Sequence, residues 1–169
     1  MDEILKTAIE EKDKLINNMQ TIMMSTIDSE GKPNSSYAPS VIDSYGNYYV
    51  YISKLSKHTL NMLNNPNVSM MIIEDESKTE NVFGRKRFTM DSDVKVIDRD
   101  SEEWKEVILL MENKFGETMT YLKDLTDFYL FKLKPESGLL VHGFARAFKF
   151  VGDGLNEIQY LNDKGHNKK

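Results

Sequence analysis

Cysteine is absent from the 169 residues, which excludes a disulfide framework, thiolate metal sites, iron–sulfur clusters and a cysteine nucleophile. Any metal held by the chain must therefore be met by histidine or by oxygen. Long apolar runs are missing too: no uninterrupted stretch of about 18 apolar residues occurs, so no membrane-spanning helix is expected. The opening Met1-Asp2-Glu3 is acidic where a secretory signal would be basic, and a soluble, cytoplasmic protein is the expectation. Excess positive charge is also lacking. With a formal net charge of −5, no overall field draws the chain to nucleic acid or to an anionic membrane. The common catalytic templates are absent as well: there is no Gly-x-Ser-x-Gly elbow, no Gly-Lys-Ser/Thr phosphate loop and no His-Glu-x-x-His helix. No catalytic acid, base or nucleophile can be named from the residues.

What remains is a chain of the right length, with 40% apolar residues, for one domain over 1–169. Apolar residues at Ile4, Leu5, Ala8, Leu15 and Ile16, with charges between them, predict an N-terminal amphipathic helix within 1–19 that serves packing or dimer contact. From Thr21 the pattern turns to strands. Ile22–Ile27 and Ser35–Pro39 flank a turn at Asp28–Pro33 and read as a hairpin, and Tyr48–Ser53 follows the turn at Asp43–Asn47. A short helix over Lys57–Asn65 is stopped by Pro66, and Val68–Ile73 is again a strand. Arg87–Met90 and Val94–Ile97 read as a strand pair. Ser101 is a helix N-cap, and the helix that it starts ends at Gly116. Phe128–Leu133 reads as a strand ahead of Pro135, and Leu139–Phe148 as the last long strand, with a bulge or close approach at Gly143. The polar tail 162–169 is expected to be flexible. Many strands interleaved with a few helices favour a mainly β fold, an antiparallel barrel with peripheral helices, over a parallel doubly wound sheet.

Two basic clusters stand out on the acidic background: Arg85-Lys86-Arg87, and Lys54, Lys57 and His58. Each can be read as solvated surface or as the seat of a small anion. His58 either caps a helix or faces an anion drawn by Lys57 and the helix N-terminus. His142, beside Gly143 in a strand, reads as a half-buried structural residue. His166 lies in the polar tail; a tail histidine is commonly incidental, yet a flexible tail can carry imidazole to a metal held elsewhere. Glu74-Asp75-Glu76 and Asp98-Arg99-Asp100 read as solvated loops. The ten methionines and eight tyrosines read as core and interface filling.

Several ordered landmarks are more specific. Pro33-Asn34-Ser35-Ser36-Tyr37-Ala38-Pro39, Ile52-Ser53-Lys54-Leu55-Ser56-Lys57-His58, Asn65-Pro66-Asn67-Val68-Ser69 and Glu74-Asp75-Glu76 come first. They are followed by Phe83-Gly84-Arg85-Lys86-Arg87-Phe88-Thr89, the Arg99 to Glu117 helix, Leu125-Thr126-Asp127-Phe128, and Gly138 through Ala147. Taken in this order, from about Met19 to His166, they resemble the HugZ/HutZ haem-utilisation family.

That resemblance implies a pyridoxamine-phosphate-oxidase-like (FMN-binding) split β-barrel, assembled as a homodimer with cofactor sites at the subunit interface and haem in place of FMN. It implies that His166, at the family's Gly-His position, is the axial ligand of haem iron, although Asn167 follows it where relatives carry a basic residue. It implies that Asp127 hydrogen-bonds the ligand histidine across the interface. Arg85 and Arg87 become donors to the haem propionates, while Ser53, Lys57 and His58 match the segment from which flavin-binding relatives hold phosphate. The implied function is haem binding with reductive, oxygen-dependent ring opening that releases iron for acquisition, as in a haem oxygenase, with electrons from an external donor. Two alternatives follow from the same residues: an FMN-dependent oxidoreductase, and a haem carrier or storage protein without turnover.

Overall fold

Period-two burial builds the strands. The computed structural model describes residues 3–144 and 146–161. In β1 (Thr21–Ile27) every second residue, Ile22, Met24 and Thr26, is buried, and β4 (Asn67–Ile73) repeats this with Val68, Met70 and Ile72. Between them in sequence lie β2 (Pro33–Ile42), β3 (Tyr48–Ser53) and α2 (Lys57–Asn64). β5 (Arg87–Ile97) and β6 (Phe128–Val141) follow. The strand order is β3-β2-β1-β4-β5-β6, every neighbouring pair is antiparallel, and β3 also pairs with β6. Six strands therefore close a barrel and leave no free edge among themselves.

The barrel interior is filled with side chains. Ile22, Met24, Tyr48, Val50, Met70, Phe88, Met90, Phe131 and Leu133 form one packed cluster there, each worth about 1.5–3 kcal/mol when taken from water. A ligand the size of a cofactor must consequently sit outside the barrel. The amphipathic helix α1 (Glu3–Asn18) adds Leu5, Ala8, Ile9, Leu15 and Ile16 to the same cluster, as its spacing requires. A second core lies on the outer side of β3 and β6, where α3 (Glu102–Phe115) and α4 (Glu117–Leu122) place Trp104, Val107, Ile108, Met111 and Met119 against Tyr49, Tyr51 and Leu130. Ser101 caps α3 by accepting from the Trp104 N–H at 3.2 Å, and Gly116 ends it at φ 66°. Among the described residues no helix is long and apolar enough to cross a membrane.

Three sequence expectations need correction. Arg87–Met90 and Val94–Ile97 belong to one eleven-residue strand, β5, because Ser92 stays buried and continues the inward alternation through Asp91 and Asp93. Pro135 does not end β6. It pairs with Ser92 beside a register shift between Asp91 and Ser92, and a bulge is where a strand tolerates a residue without an N–H. The last long strand is interrupted after Val141: Gly143, at φ 145°, belongs to the turn between β6 and β7 (Ala147–Val151), with β8 (Glu157–Tyr160) beyond it. β6 thus serves two partners on one edge, β3 through Phe128–Leu133 and β7 through Gly138–Val141.

Candidate functional site

At the C-terminal end of β3, Ser53 pairs with Phe128 at the start of β6, which sets it beside Asp127. The Ser53 hydroxyl donates to Asp127 Oδ2 at 3.1 Å and accepts from the Leu55 N–H at 3.1 Å. The Lys54 N–H donates to the Asp127 carbonyl at 2.7 Å. Lys57, at the first position of α2, forms an ion pair of 3.1 Å with Asp28 at the β1–β2 turn. This contact and the Lys32 N–H hold the Asp28 carboxyl below its ordinary range, the Lys32 bond being the larger cause.

His58 does not cap the helix, which was one of its two sequence readings. Ser56, not His58, stands at the N-cap of α2. The His58 imidazole is half-buried, burial lowers its pKa, and its Nε2 has no hydrogen-bond partner among the described residues. Burial thus disfavours the charged form of the ring.

The arginine cluster forms a second group. Arg85 donates through Nε to the Glu74 carbonyl at 2.7 Å and pairs with Glu76 at 2.8 Å, so the acidic run is partly bound rather than simply solvated. Lys86 turns to Glu11 of α1 at 2.6 Å. Arg87, the first residue of β5, donates from one terminal nitrogen to the Arg85 carbonyl at 2.9 Å. Its remaining N–H groups make no hydrogen bond among the described residues, so Arg87 is the better placed of the two arginines to take an added anion. A few residues earlier in the chain, Val82 and Phe83 are 67% and 82% exposed. Among the described residues no hydrogen bond or ion pair joins this group to Ser53 and Asp127. The two groups lie at opposite ends of the fourteen-residue β6, since Ser53 pairs with Phe128 whereas Arg87 pairs with Val141.

Arg87 borders an outward-facing apolar row. Directly opposed residues Tyr37, Met23, Met71, Thr89 and Leu139 run across β2, β1, β4, β5 and β6. Tyr37 is 67% exposed, Met23 44% and Leu139 41%. The adjacent row, Ser35, Ser25 and Ser69, carries no charge before Asp91. An apolar strip flanked by serine hydroxyls on a barrel's outer wall has the composition of an interface.

His142 is 9% exposed and stacked on Phe148 at 5.1 Å, and burial followed by the Arg146 charge lowers its pKa; it is the structural histidine that its setting predicted. His166 lies outside the described residues, which hold no cluster of three metal-ligating side chains.

The profile of the pyridoxamine 5′-phosphate oxidase family matches residues 8–142. The haem oxygenase HutZ of Vibrio cholerae is 44% identical over 149 residues, 88% of this chain and 84% of that protein. The chain belongs to the HugZ/HutZ family of pyridoxamine-phosphate-oxidase-like split barrels. Two solved structures are similar. The crystal structure of HutZ, described as a haem storage protein of Vibrio cholerae, superposes with TM-score 0.72 at 42% identity over 75% of this chain and 89% of that one. ChuZ of Campylobacter jejuni superposes with TM-score 0.86 at 27% identity, covering 97% of this chain and 66% of that one.

Within this HugZ/HutZ member the structure also presents features that the residue pattern concealed. Arg99 donates to Tyr51 Oη at 3.2 Å, to the Leu125 carbonyl at 3.0 Å and to the Lys123 carbonyl, and its guanidinium lies 5.2 Å from the Trp104 ring. It clamps the segment that leads into Asp127, in a run that read as a solvated loop. The outward apolar row was visible only as Ile22-Met23-Met24, where both strand faces are apolar.

Proposed function

We propose that this chain binds haem in a cleft between two copies and opens the porphyrin reductively with oxygen, releasing iron. The observation that carries the reading is the 44% identity to a haem oxygenase over 88% of the chain. The residues fit such a substrate. Haem is a flat apolar disc bearing two carboxylates; among the described residues Arg87 keeps unspent N–H donors, and the preceding segment exposes Val82 and Phe83. Arginine suits a propionate because its planar fork can grip a carboxylate bidentately; the carbonyl of Arg85, whose own side chain is held by Glu74 and Glu76, accepts one Arg87 N–H and helps to fix it. The filled interior directs the ligand to the outer wall, and a second copy seated on the Tyr37–Leu139 row would supply the other side of a cleft. In this arrangement the Ser53–Asp127 group of one copy and the Arg87 group of the other line the same cleft, which would bring together what a single copy keeps apart.

His166 is assigned as the iron ligand and Asp127 as the acceptor that orients it, a role that raises imidazole basicity. When bound, the haem itself supplies the redox chemistry, with electrons from an external donor. The protein's own part is to hold the propionates, orient the ligand imidazole and exclude water with the apolar row.

Ser53 and Lys57 are engaged with Asp127 and Asp28, which disfavours the FMN-phosphate reading of this segment. Binding without turnover has one point in its favour, the description of the 42% identical HutZ structure as a haem storage protein. Titration with hemin, followed by ascorbate under air, separates the readings. Ring opening replaces the Soret band with biliverdin-type absorption and releases chelatable iron; a carrier keeps its Soret band; an FMN protein is yellow as purified and takes up no hemin. His166→Ala should abolish the ligand-dependent Soret position, and an unchanged spectrum would remove His166 from the role.

A further inference from the structure

Resting on the reading above, we infer that Ser53 is a positioning residue for Asp127 and not an anion contact. Its hydroxyl has one proton, and that proton goes to Asp127 Oδ2 at 3.1 Å, while the oxygen accepts from the Leu55 N–H at 3.1 Å. A serine oriented in this way presents no donor to a phosphate or a propionate. What it does present is a fixed carboxylate. The Asp127 backbone is held from the β3 side by the Lys54 N–H at 2.7 Å, and by the register that pairs Ser53 with Phe128. From the other side Arg99 holds the Lys123 and Leu125 carbonyls and is itself braced on Tyr51 and Trp104. Thr59 Oγ1 donates to the Ser53 carbonyl at 2.6 Å and ties the serine to α2.

With the backbone pinned on both sides, the freedom left to Asp127 is rotation of its carboxylate, and the Ser53 hydroxyl removes it. Oδ1 accepts no hydrogen bond among the described residues, and the residue is exposed. The assembly is therefore an acceptor aimed outward, with one oxygen anchored and one open to an N–H donor arriving from a neighbouring copy or from the tail. An imidazole bonded to a fixed carboxylate gains anionic character and becomes a stronger iron ligand; bonded to a carboxylate free to rotate, it gains less. Ser53 would thus tune the iron without touching haem or histidine.

The test is the iron–imidazole stretching band of the ferrous, hemin-reconstituted protein by resonance Raman, in wild type, Ser53→Ala, Ser53→Thr and Asp127→Asn, with melting curves to verify folding. The expected result is a downshifted band in Ser53→Ala, a larger downshift in Asp127→Asn, and a band near wild type in Ser53→Thr, which keeps the hydroxyl. A Ser53→Ala band at the wild-type frequency beside a shifted Asp127→Asn band would overturn the inference and leave the Asp127–histidine reading standing. Unchanged bands in both variants, or no hemin uptake at all, would overturn both. A merely structural role for Ser53 would lower the melting temperature of Ser53→Ala without moving the band, and that outcome too counts against the proposal.

Discussion

Gly138 in β6 has no side chain because Phe88 leaves no room for one. A Cβ there would lie 2.6 Å from two atoms of the Phe88 ring, and that ring, 1% exposed inside the barrel, has nowhere to retreat. Gly138→Ala should cost about 1–3 kcal/mol, the usual penalty of overpacking, read as a lowered urea midpoint at unchanged slope. A second prediction at this scale concerns pH. Burial lowers the pKa of both His58 and His142 from 6.5, so the unfolded chain binds protons more readily than the folded one as pH falls below that value. Stability is then fully present above about pH 6.5 and is lost as pH falls through the lowered folded values. Several carboxylates, Glu11 and Glu103 among them, are also lowered, from 4.5, but their contribution is lost only at more acid pH. Denaturant unfolding between pH 7 and pH 5 should therefore show falling stability, and His142→Gln should flatten that slope; an identical slope would place the effect elsewhere. Arg87 draws notice through its basic cluster and Asp127 through the family resemblance, but neither signal shows what the two side chains contact. That Ser53 spends its proton on Asp127 depends on segments 74 residues apart, and that Arg85 is held by Glu74 and Glu76 depends on the connection between two strands.

Helices were more legible than strands. α3 announces itself by a capping serine, an apolar stripe and a terminal glycine, all local signals that the structure keeps. Ser101→Ala removes the acceptor of the Trp104 N–H and should lower stability by about 1 kcal/mol, as loss of an N-cap does, measurable by urea denaturation. β5 and β6 were harder because both are long and their interruptions are not ends. Asp91 and Asp93 look like a turn, and Pro135 looks like a stop, yet the register shift between Asp91 and Ser92 lets both strands run on. A bulge is a relation between two strands, so neither one records it alone. The break after Val141 was missed for the opposite reason: Gly143 fits a bulge in an apolar run equally well, and only its positive φ of 145° and the His142 N–H to Arg146 carbonyl bond assign it to a turn.

For the whole molecule, the sequence made the barrel legible through the number and spacing of strands, with the family resemblance naming its type. Closure was not legible, because pairing of β3 with β6 joins residues some eighty positions apart in the chain. The outward row bears on assembly. Met23 and Met71 oppose each other at its centre, and a charge placed there would have to be desolvated for two copies to meet on this face. Met23→Asp, whose side chain lies outside the packed interior, should convert a dimer to a folded monomer by sedimentation and weaken hemin uptake with it; an undisturbed dimer would assign the contact to another surface.

One strand links the two cores. From Tyr48 to Ile52 every side chain of β3 is buried, those of Tyr48, Val50 and Ile52 among the barrel residues and those of Tyr49 and Tyr51 beneath α3. Neither core can come apart while the other stays whole, because each supplies one face of the same strand. Backbone amides of β3 should accordingly be among the last to exchange with deuterated solvent, and at the rate set by global unfolding, so that the barrel and its helical flank melt as one.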